Sequence, residues 1–267
     1  MPIPDRLPDD FAEAVERARP RLRRLGKEIL FFSSIGSTND VASALAAHGD
    51  REGAVVVAET QTAGRGRRGR TWFSPPSSGL YVSTVLAPGR ARLAPERALA
   101  LLTLAAGVAL AEAVELVTGL AAVIKWPNDL FVGRRKLAGI LAERVTRDAV
   151  VLGYGINVGP MAYPRELSDR ATSLELELGR AIDRPILFAE TLAALASRYD
   201  DLLEGRFDAI LDAWRARAPA GCGARVSWET PAGPRSGITA GVDEHGALLV
   251  DAGDRMERIV AGELRWL

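Results

Sequence analysis

Gln61-Thr62-Ala63-Gly64-Arg65-Gly66-Arg67-Arg68-Gly69-Arg70-Thr71-Trp72-Phe73-Ser74-Pro75-Pro76 is the stretch that decides the architecture of this chain. It follows the continuous apolar run Ala54 to Ala58, which reads as a strand. Two phosphate-binding patterns fit it on paper. Gly64-x-Gly66-x-x-Gly69 matches the dinucleotide fingerprint, and Gly64-x-x-x-x-Gly69-Arg70-Thr71 matches a Walker A loop with arginine replacing its lysine. Both patterns require the loop to open a helix. Trp72-Phe73-Ser74-Pro75-Pro76 cannot open one of useful length, because its paired prolines lack N–H donors. The fingerprint also needs an acid about 20 residues on, and residues 84–89 contain none. The sheet is therefore not a doubly wound dinucleotide fold.

Four guanidinium groups remain, on a glycine-rich turn. Residue chemistry leaves two readings open: a solvated basic hairpin tip, or a loop that wraps an anionic ligand. Arginine suits the second, because its planar fork can bridge a carboxylate and a phosphate at once. Trp72 is either a core aromatic or a surface on which a nucleobase stacks. An Arg/Gly nucleic-acid segment would be a longer disordered repeat, whereas this one is short and lies between strands.

Outward from the loop, Ile29 to Phe32 reads as a strand and Asn39 to His48 as a helix, with Ser37 at its N-cap and Asp40 three residues on, as in a capping box. Leu80 to Leu86 is a strand, and Pro95 opens a long helix to about Val117. Ala122 to Ile124 is a short strand before Lys125-Trp126-Pro127-Asn128-Asp129. Leu130 to Val132 and Leu137 to Val145 flank Gly133-Arg134-Arg135-Lys136 as a hairpin, and Ala149 to Val158 is a strand interrupted by Gly153 and Gly155. Ile186 to Leu203 and Phe207 to Arg217 read as helices, followed by a linker at Pro219-Ala220-Gly221-Cys222-Gly223. Short strands then recur at Arg225 to Glu229, Ser236 to Val242, Ala247 to Asp251 and Met256 to Val260, with a turn at Pro231-Ala232-Gly233. The expected class is α+β: a mixed sheet with flanking helices over 1–218, and a small β-barrel over 219–267.

The 267 residues carry a formal net charge of +0, which argues against a general nucleic-acid coat. The single cysteine, Cys222, excludes an intrachain disulfide and a cysteine-based zinc site, and suits a reducing cytosol. No metal-ligand set is predicted. The N-terminal residues lack the apolar core of a signal peptide. Leu99 to Leu120 contains Glu112 and Glu115, so it reads as a buried helix rather than a membrane span. A cytoplasmic protein is expected.

Five separated stretches resemble the biotin protein ligases, in the same order and at similar separations. They are Gly36-Ser37-Thr38-Asn39, Gln61 to Arg70, Lys125 to Asp129, Lys136-Leu137-Ala138-Gly139-Ile140-Leu141 and Gly153-Tyr154-Gly155-Ile156-Asn157-Val158. The likeness is strong over about residues 30 to 160, and the C-terminal strands agree with that family's small SH3-like module. The resemblance implies a catalytic domain like that of class II aminoacyl-tRNA synthetases. It also implies a two-step reaction. Biotin and ATP, with Mg2+, form biotinyl-5′-AMP and pyrophosphate, and a lysine of a biotin carboxyl carrier domain then attacks the mixed anhydride.

By that resemblance Ser37, Thr38, Asn39 and Gln61 line the biotin pocket, where hydroxyls and amides match a neutral urea, and Gly139 belongs to the same pocket. Gly64 and Gly66 let the backbone approach the ligand. Arg65 and Arg67 fold over biotin's carboxylate and the α-phosphate, while Arg68 and Arg70 face either the triphosphate or solvent. Trp72, Lys125, Asn128 and Asn157 match the nucleotide side. Lys136 contacts carboxylate and α-phosphate as charge builds; without the resemblance it would read as an exposed hairpin lysine. Asp129 engages the incoming carrier lysine, or else is a turn-stabilising residue after Pro127. Residues 64–70 are expected to order around ligand, because three glycines and four mutually repelling arginines should not pack unaided.

The rival of the same fold is a lipoate ligase or octanoyltransferase. The latter uses a cysteine nucleophile, and Cys222 lies outside the motifs. An RNA-binding module and an inactive biotin-sensing protein are the remaining alternatives. The family resemblance implies a monomer or homodimer. About 28 residues precede the first strand, too few for the helix-turn-helix domain of many bacterial members, so no DNA binding is expected. No membrane partner is expected either.

Overall fold

The computed structural model describes residues 2–160, 163–230, 233–262 and 264–267. In chain order it contains α1 (Asp9–Leu22), β1 (Ile29–Phe32), α2 (Thr38–Ala47), β2 (Val55–Ala58), β3 (Gly79–Leu86), α3 (Pro95–Thr118), β4 (Val123–Lys125), β5 (Asp129–Val132), β6 (Arg135–Arg144) and β7 (Val150–Asn157). There follow α4 (Arg165–Ser168), α5 (Leu174–Leu178), α6 (Arg184–Leu203), α7 (Phe207–Arg217), β8 (Cys222–Thr230), β9 (Gly233–Val242), β10 (Leu248–Asp251), β11 (Met256–Ile259) and β12 (Arg265–Trp266).

One seven-stranded mixed sheet has the order β1-β2-β3-β7-β6-β5-β4. Only β1 and β2 pair in parallel, and the helix α2 between them supplies the crossover that such a pair requires. Every position of β2, β3 and β7 is buried, which explains their unbroken apolar runs. Alternate residues go to opposite faces. Val55, Val57, Leu80, Val82, Leu152 and Ile156 join the large core beneath α1, α3, α6 and α7. Val56, Ala58, Val85 and Val151 join a smaller core with Val41, Ala42 and Leu45 of α2. The α2 face of the sheet carries the candidate site.

The long apolar helix is α3, and two-thirds of its most apolar window is buried inside the protein. The sequence reading overlooked α1. Its signal was Phe11, Ala14, Val15, Ala18 and Leu22, an apolar stripe at helical spacing that is buried against the large core.

Three local expectations need correction. Ser37 does occupy the N-cap of α2, but its side chain makes no capping hydrogen bond. β7 runs unbroken through Gly153 and Gly155, because the glycines accommodate neighbouring side chains instead of interrupting the strand. The expected linker is packed structure: Pro219–Gly221 forms a turn of 3-10 helix, and a Cβ on buried Gly221 would lie 2.9 Å from the Trp214 ring. Of the predicted turn near residue 232, Pro231 and Ala232 lie outside the described residues.

β8 to β12 form a separate antiparallel sheet in the order β11-β10-β9-β8-β12, the small all-β module expected. It is fastened beside the first sheet's β4 edge. The buried Trp126 indole N–H donates to the Gly246 carbonyl at 2.9 Å, and Lys125 Nζ lies 5.3 Å from the Trp266 ring. Trp126→Phe would leave that carbonyl without its donor, at a cost of about 2 kcal/mol. The expected result is a lower urea midpoint than the wild type; an unchanged midpoint would show that the bond contributes nothing.

Candidate active site

The arginine loop is a backbone excursion between β2 and β3 that is tied to the chain before α2. Thr62 N donates to Ile35 O and Ala63 N to Gly36 O, both at 2.8 Å, and Trp72 N closes on Gly64 O at 2.9 Å. At its tip Arg67–Gly69 makes a single 3-10 turn, with Arg68 at φ 59°. A side chain is impossible at Gly64, where a Cβ would lie 2.5 Å from the Trp72 carbonyl oxygen. Its glycine is required by the loop's own closure, whatever approaches it.

Thr38, Asn39 and Gln61 form one hydrogen-bonded floor with two serines that sequence reasoning missed. Gln61 Oε1 accepts from Thr38 N at 2.8 Å and from Thr38 Oγ1 at 3.1 Å, while its amide nitrogen donates to Ser74 Oγ at 2.9 Å. Ser83 Oγ lies 2.8 Å from Thr38 Oγ1 and 2.6 Å from Asn39 Oδ1. Thr38, Asn39, Ser74 and Ser83 are buried, as is Ser37 beside them. Strand register places Ser83 directly opposite Gly153, where a Cβ would come within 2.0 Å of Asn39 Oδ1. Asn39 therefore lies in the groove left by a missing side chain. Ser83, with Thr84 beside it, was legible as a polar pair in a largely apolar strand. Glu143 gave no signal, although Asn39 Nδ2 and Arg65 Nη2 both donate to its Oε2 at 2.7 Å.

The next row of the sheet is Asp129, Gly139, Gly155 and Tyr81 on β5, β6, β7 and β3. Trp72 lies over this row: a Cβ on Gly155 would fall 2.3 Å from the indole Nε1, and one on Gly139 3.0 Å from the ring. The buried Trp72 Nε1 has no hydrogen-bond partner among the described residues. Lys136 Nζ stands 5.4 Å from the Trp72 ring centre and 2.7 Å from Asp129 Oδ1. The two residues assigned to separate steps thus form an ion pair, a charge contact without the direction of a hydrogen bond.

The remaining candidates are more dispersed. Arg67 Nη1 donates to Asn128 Oδ1 at 2.8 Å, and Asn128 Nδ2 to Ile140 O at 2.8 Å, so Asn128 fastens the loop to β6. Asn157 is buried and donates to Thr172 O at 2.9 Å. Lys125 Nζ lies 4.7 Å from the Phe131 ring and 5.3 Å from that of Trp266. Burial holds its pKa below the usual lysine value, against the opposing pull of Asp129. Arg68 lies within the 3-10 turn at the loop's tip and Arg70 follows it in extended backbone.

This arrangement joins a neutral donor–acceptor floor, suited to an uncharged polar ring, to a rim of cations suited to anions. Known proteins resemble the chain in sequence and in fold. The model of the biotin/lipoate A/B protein ligase family matches residues 31–159, and that of the biotin protein ligase C-terminal domain matches residues 221–264. The chain is 33% identical over 263 residues to the bifunctional ligase/repressor BirA of Bacillus subtilis, covering 96% of this chain and 79% of that one. It is 37% identical over 244 residues to the biotin--[acetyl-CoA-carboxylase] ligase of Mycobacterium tuberculosis, covering 89% and 88%. A solved biotin protein ligase from Aquifex aeolicus, in complex with biotin and ATP, superposes with TM-score 0.79 at 28% identity, over 91% of this chain and 99% of that one.

Ser83→Ala tests the floor directly. It leaves the buried Asn39 Oδ1 without its donor, so the free energy of unfolding should fall by about 1–3 kcal/mol in urea titration. A wild-type midpoint would mean the network carries no stability.

Proposed function

The chain belongs to the biotin/lipoate A/B protein ligase family, and from that premise we propose that it is an ATP-dependent biotin protein ligase. Its substrates are biotin, ATP with Mg2+ carried on the nucleotide's phosphates, and a lysine of a biotin carboxyl carrier domain. The observation that carries this reading is the junction of the Thr38–Asn39–Gln61–Ser83 floor with the cations Arg65, Arg67 and Lys136 around Trp72. We place the ligase chemistry in residues 1–218, with residues 219–267 as the appended module, in a cytoplasmic protein.

In the first step a carboxylate oxygen of biotin attacks the α-phosphorus, and the bond to the bridging oxygen breaks to release pyrophosphate. Two anions must meet, so repulsion has to be cancelled at the point of attack. Arg65 and Arg67 supply planar forks for this, and Lys136 supplies a point charge where negative charge builds. Trp72 offers a ring face for the adenine, and Ser37, Thr38, Asn39 and Gln61 hold the ureido ring by paired donors and acceptors. In the second step the carrier amine attacks the carbonyl carbon and AMP leaves. An amine of ordinary lysine pKa, about 10.4, is protonated near neutrality, and Asp129 is the carboxylate at hand to orient it and take its proton. The contact between Lys136 and Asp129 supports this order: once Lys136 turns to the adenylate, the carboxylate is released for the amine.

Incubation with ATP, Mg2+, biotin and a carrier domain should add one biotin mass to the carrier; equal modification with lipoate would overturn the assignment. Lys136→Ala should slow pyrophosphate release by about 100-fold, and Gly155→Ala, which forces the Trp72 indole to move, should slow it too. Asp129→Asn should slow transfer from preformed adenylate more than it slows adenylate formation. The opposite ranking would remove Asp129 from the second step.

A further inference from the structure

We infer that Glu143, assisted by Asp40, is a positioning residue that aims Arg65 at the carboxylate of biotin. This deepens the ligase reading and rests on it.

Arg65 touches both acids through a single nitrogen. Its Nη2 donates to Glu143 Oε2 at 2.7 Å and lies 2.9 Å from Asp40 Oδ1. A guanidinium has five N–H donors in a fixed plane. One Nη2 hydrogen is bonded to Glu143, Asp40 adds an ion pair at the same nitrogen, and among the described residues Nη1 and Nε have no partner. Nη2 belongs to both bidentate edges of a guanidinium, with Nη1 and with Nε, so anchoring it fixes the plane in which the Nη1 and Nε hydrogens reach a carboxylate or phosphate.

Glu143 is itself held. It stands on β6 opposite Val151 of β7, and its Oε2 also accepts from Asn39 Nδ2 at 2.7 Å. Asn39 is fixed in turn by Ser83 Oγ and by the groove over Gly153. A single carboxylate oxygen therefore links the buried floor, where the ring of biotin would lie, to the first arginine of the loop. Side-chain exposure grades the two acids, at 30% for Glu143 and 60% for Asp40. Glu143 is the better-fixed anchor and Asp40 the auxiliary one.

The sign of the effect separates positioning from simple charge. An acid near an anion site repels the anion, so its removal should tighten binding if it merely sat there. If it aims Arg65, its removal should weaken binding of the anion alone. The experiment measures binding of biotin and of its neutral carboxamide by calorimetry, with wild type, Glu143→Gln, Asp40→Asn, Arg65→Ala and the Arg65→Ala/Glu143→Gln double variant. The Glu143→Gln side chain retains an oxygen that can accept from Asn39, and thermal melts verify folding. Asp40→Asn alters a more exposed side chain, so it keeps the test open if Glu143→Gln folds poorly.

Glu143→Gln should weaken biotin by about tenfold, leave the carboxamide unchanged, and add nothing once Arg65 is alanine. Asp40→Asn should weaken biotin less, and also spare the carboxamide. Equal weakening of both ligands would mean that Glu143 serves only the floor, and would overturn the inference. Tighter or unchanged biotin binding would overturn it as well. A wild-type chain that binds neither ligand would remove the ligase reading and this inference together, whereas a biotin-binding wild type with indifferent variants removes the inference alone.

Discussion

Everything in the site depends on side chains that are absent from the centre of the sheet. Gly139, Gly153 and Gly155 lie on the α2 face of the paired strands β6 and β7, and together they leave a depression in a surface that would otherwise be filled. Asn39 sinks into one part and Trp72 lies over the other. Glycine in a strand interior weakens the strand, and it is tolerated where another group approaches closely. Here β7 and its neighbour β3 are fully buried, so the pairing itself is secured by residues on the opposite face such as Leu152, Tyr154 and Ile156. The sheet is thick with packing on one side and thin on the other. That asymmetry makes room for a ligand without a hole in the core.

Register then distributes chemistry across the depression. Residues two apart along a strand share a face, and residues paired across strands stand side by side. Asp129, Gly139, Gly155 and Tyr81 form one row, and Leu141, Gly153, Ser83 and Val56 the next. The first row supports the indole and the Lys136–Asp129 pair, while the second supports the hydrogen-bonded floor. A slip of one residue in β6 or β7 would turn these positions toward the large core. The polar residues would then be buried without partners, so the register and the site are one specification.

Much of this was legible in residue order. The strands around the arginine loop, the long helix α3, the hairpin before Lys136 and the change to short strands near Arg225 all follow from apolar periodicity and turn residues. In the structure Thr38 meets Gln61, Asn39 and Arg65 meet through Glu143, Arg67 meets Asn128, and Lys136 meets Asp129. What was not legible depends on contacts between distant segments. Gly153 and Gly155 read as interruptions because nothing in β7 announces that Asn39 and Trp72 need the space. Ser37 read as a helix cap from local spacing alone, yet the cap bond is not made. The helix α1 was hidden by an N-terminal stretch whose charges and prolines masked its apolar stripe.

The four arginines on a glycine turn illustrate the same limit. Counting charges within the loop omits the groups that other elements bring to it. Asp40 comes from α2, Asn128 from the turn before β5 and Glu143 from β6, and each meets a loop arginine at hydrogen-bond distance. Partly exposed ion pairs of this kind contribute little to stability, about 0–1 kcal/mol each, so their exchange is inexpensive. That weakness suits a site built for anions. An arginine anchored by a deeply buried carboxylate would resist any rearrangement, and one with no partner would have no preferred direction. Partly exposed partners hold the guanidinium near its working position while allowing the substrate's charge to compete for it, and this is how a chain with no net charge can present a concentrated positive rim.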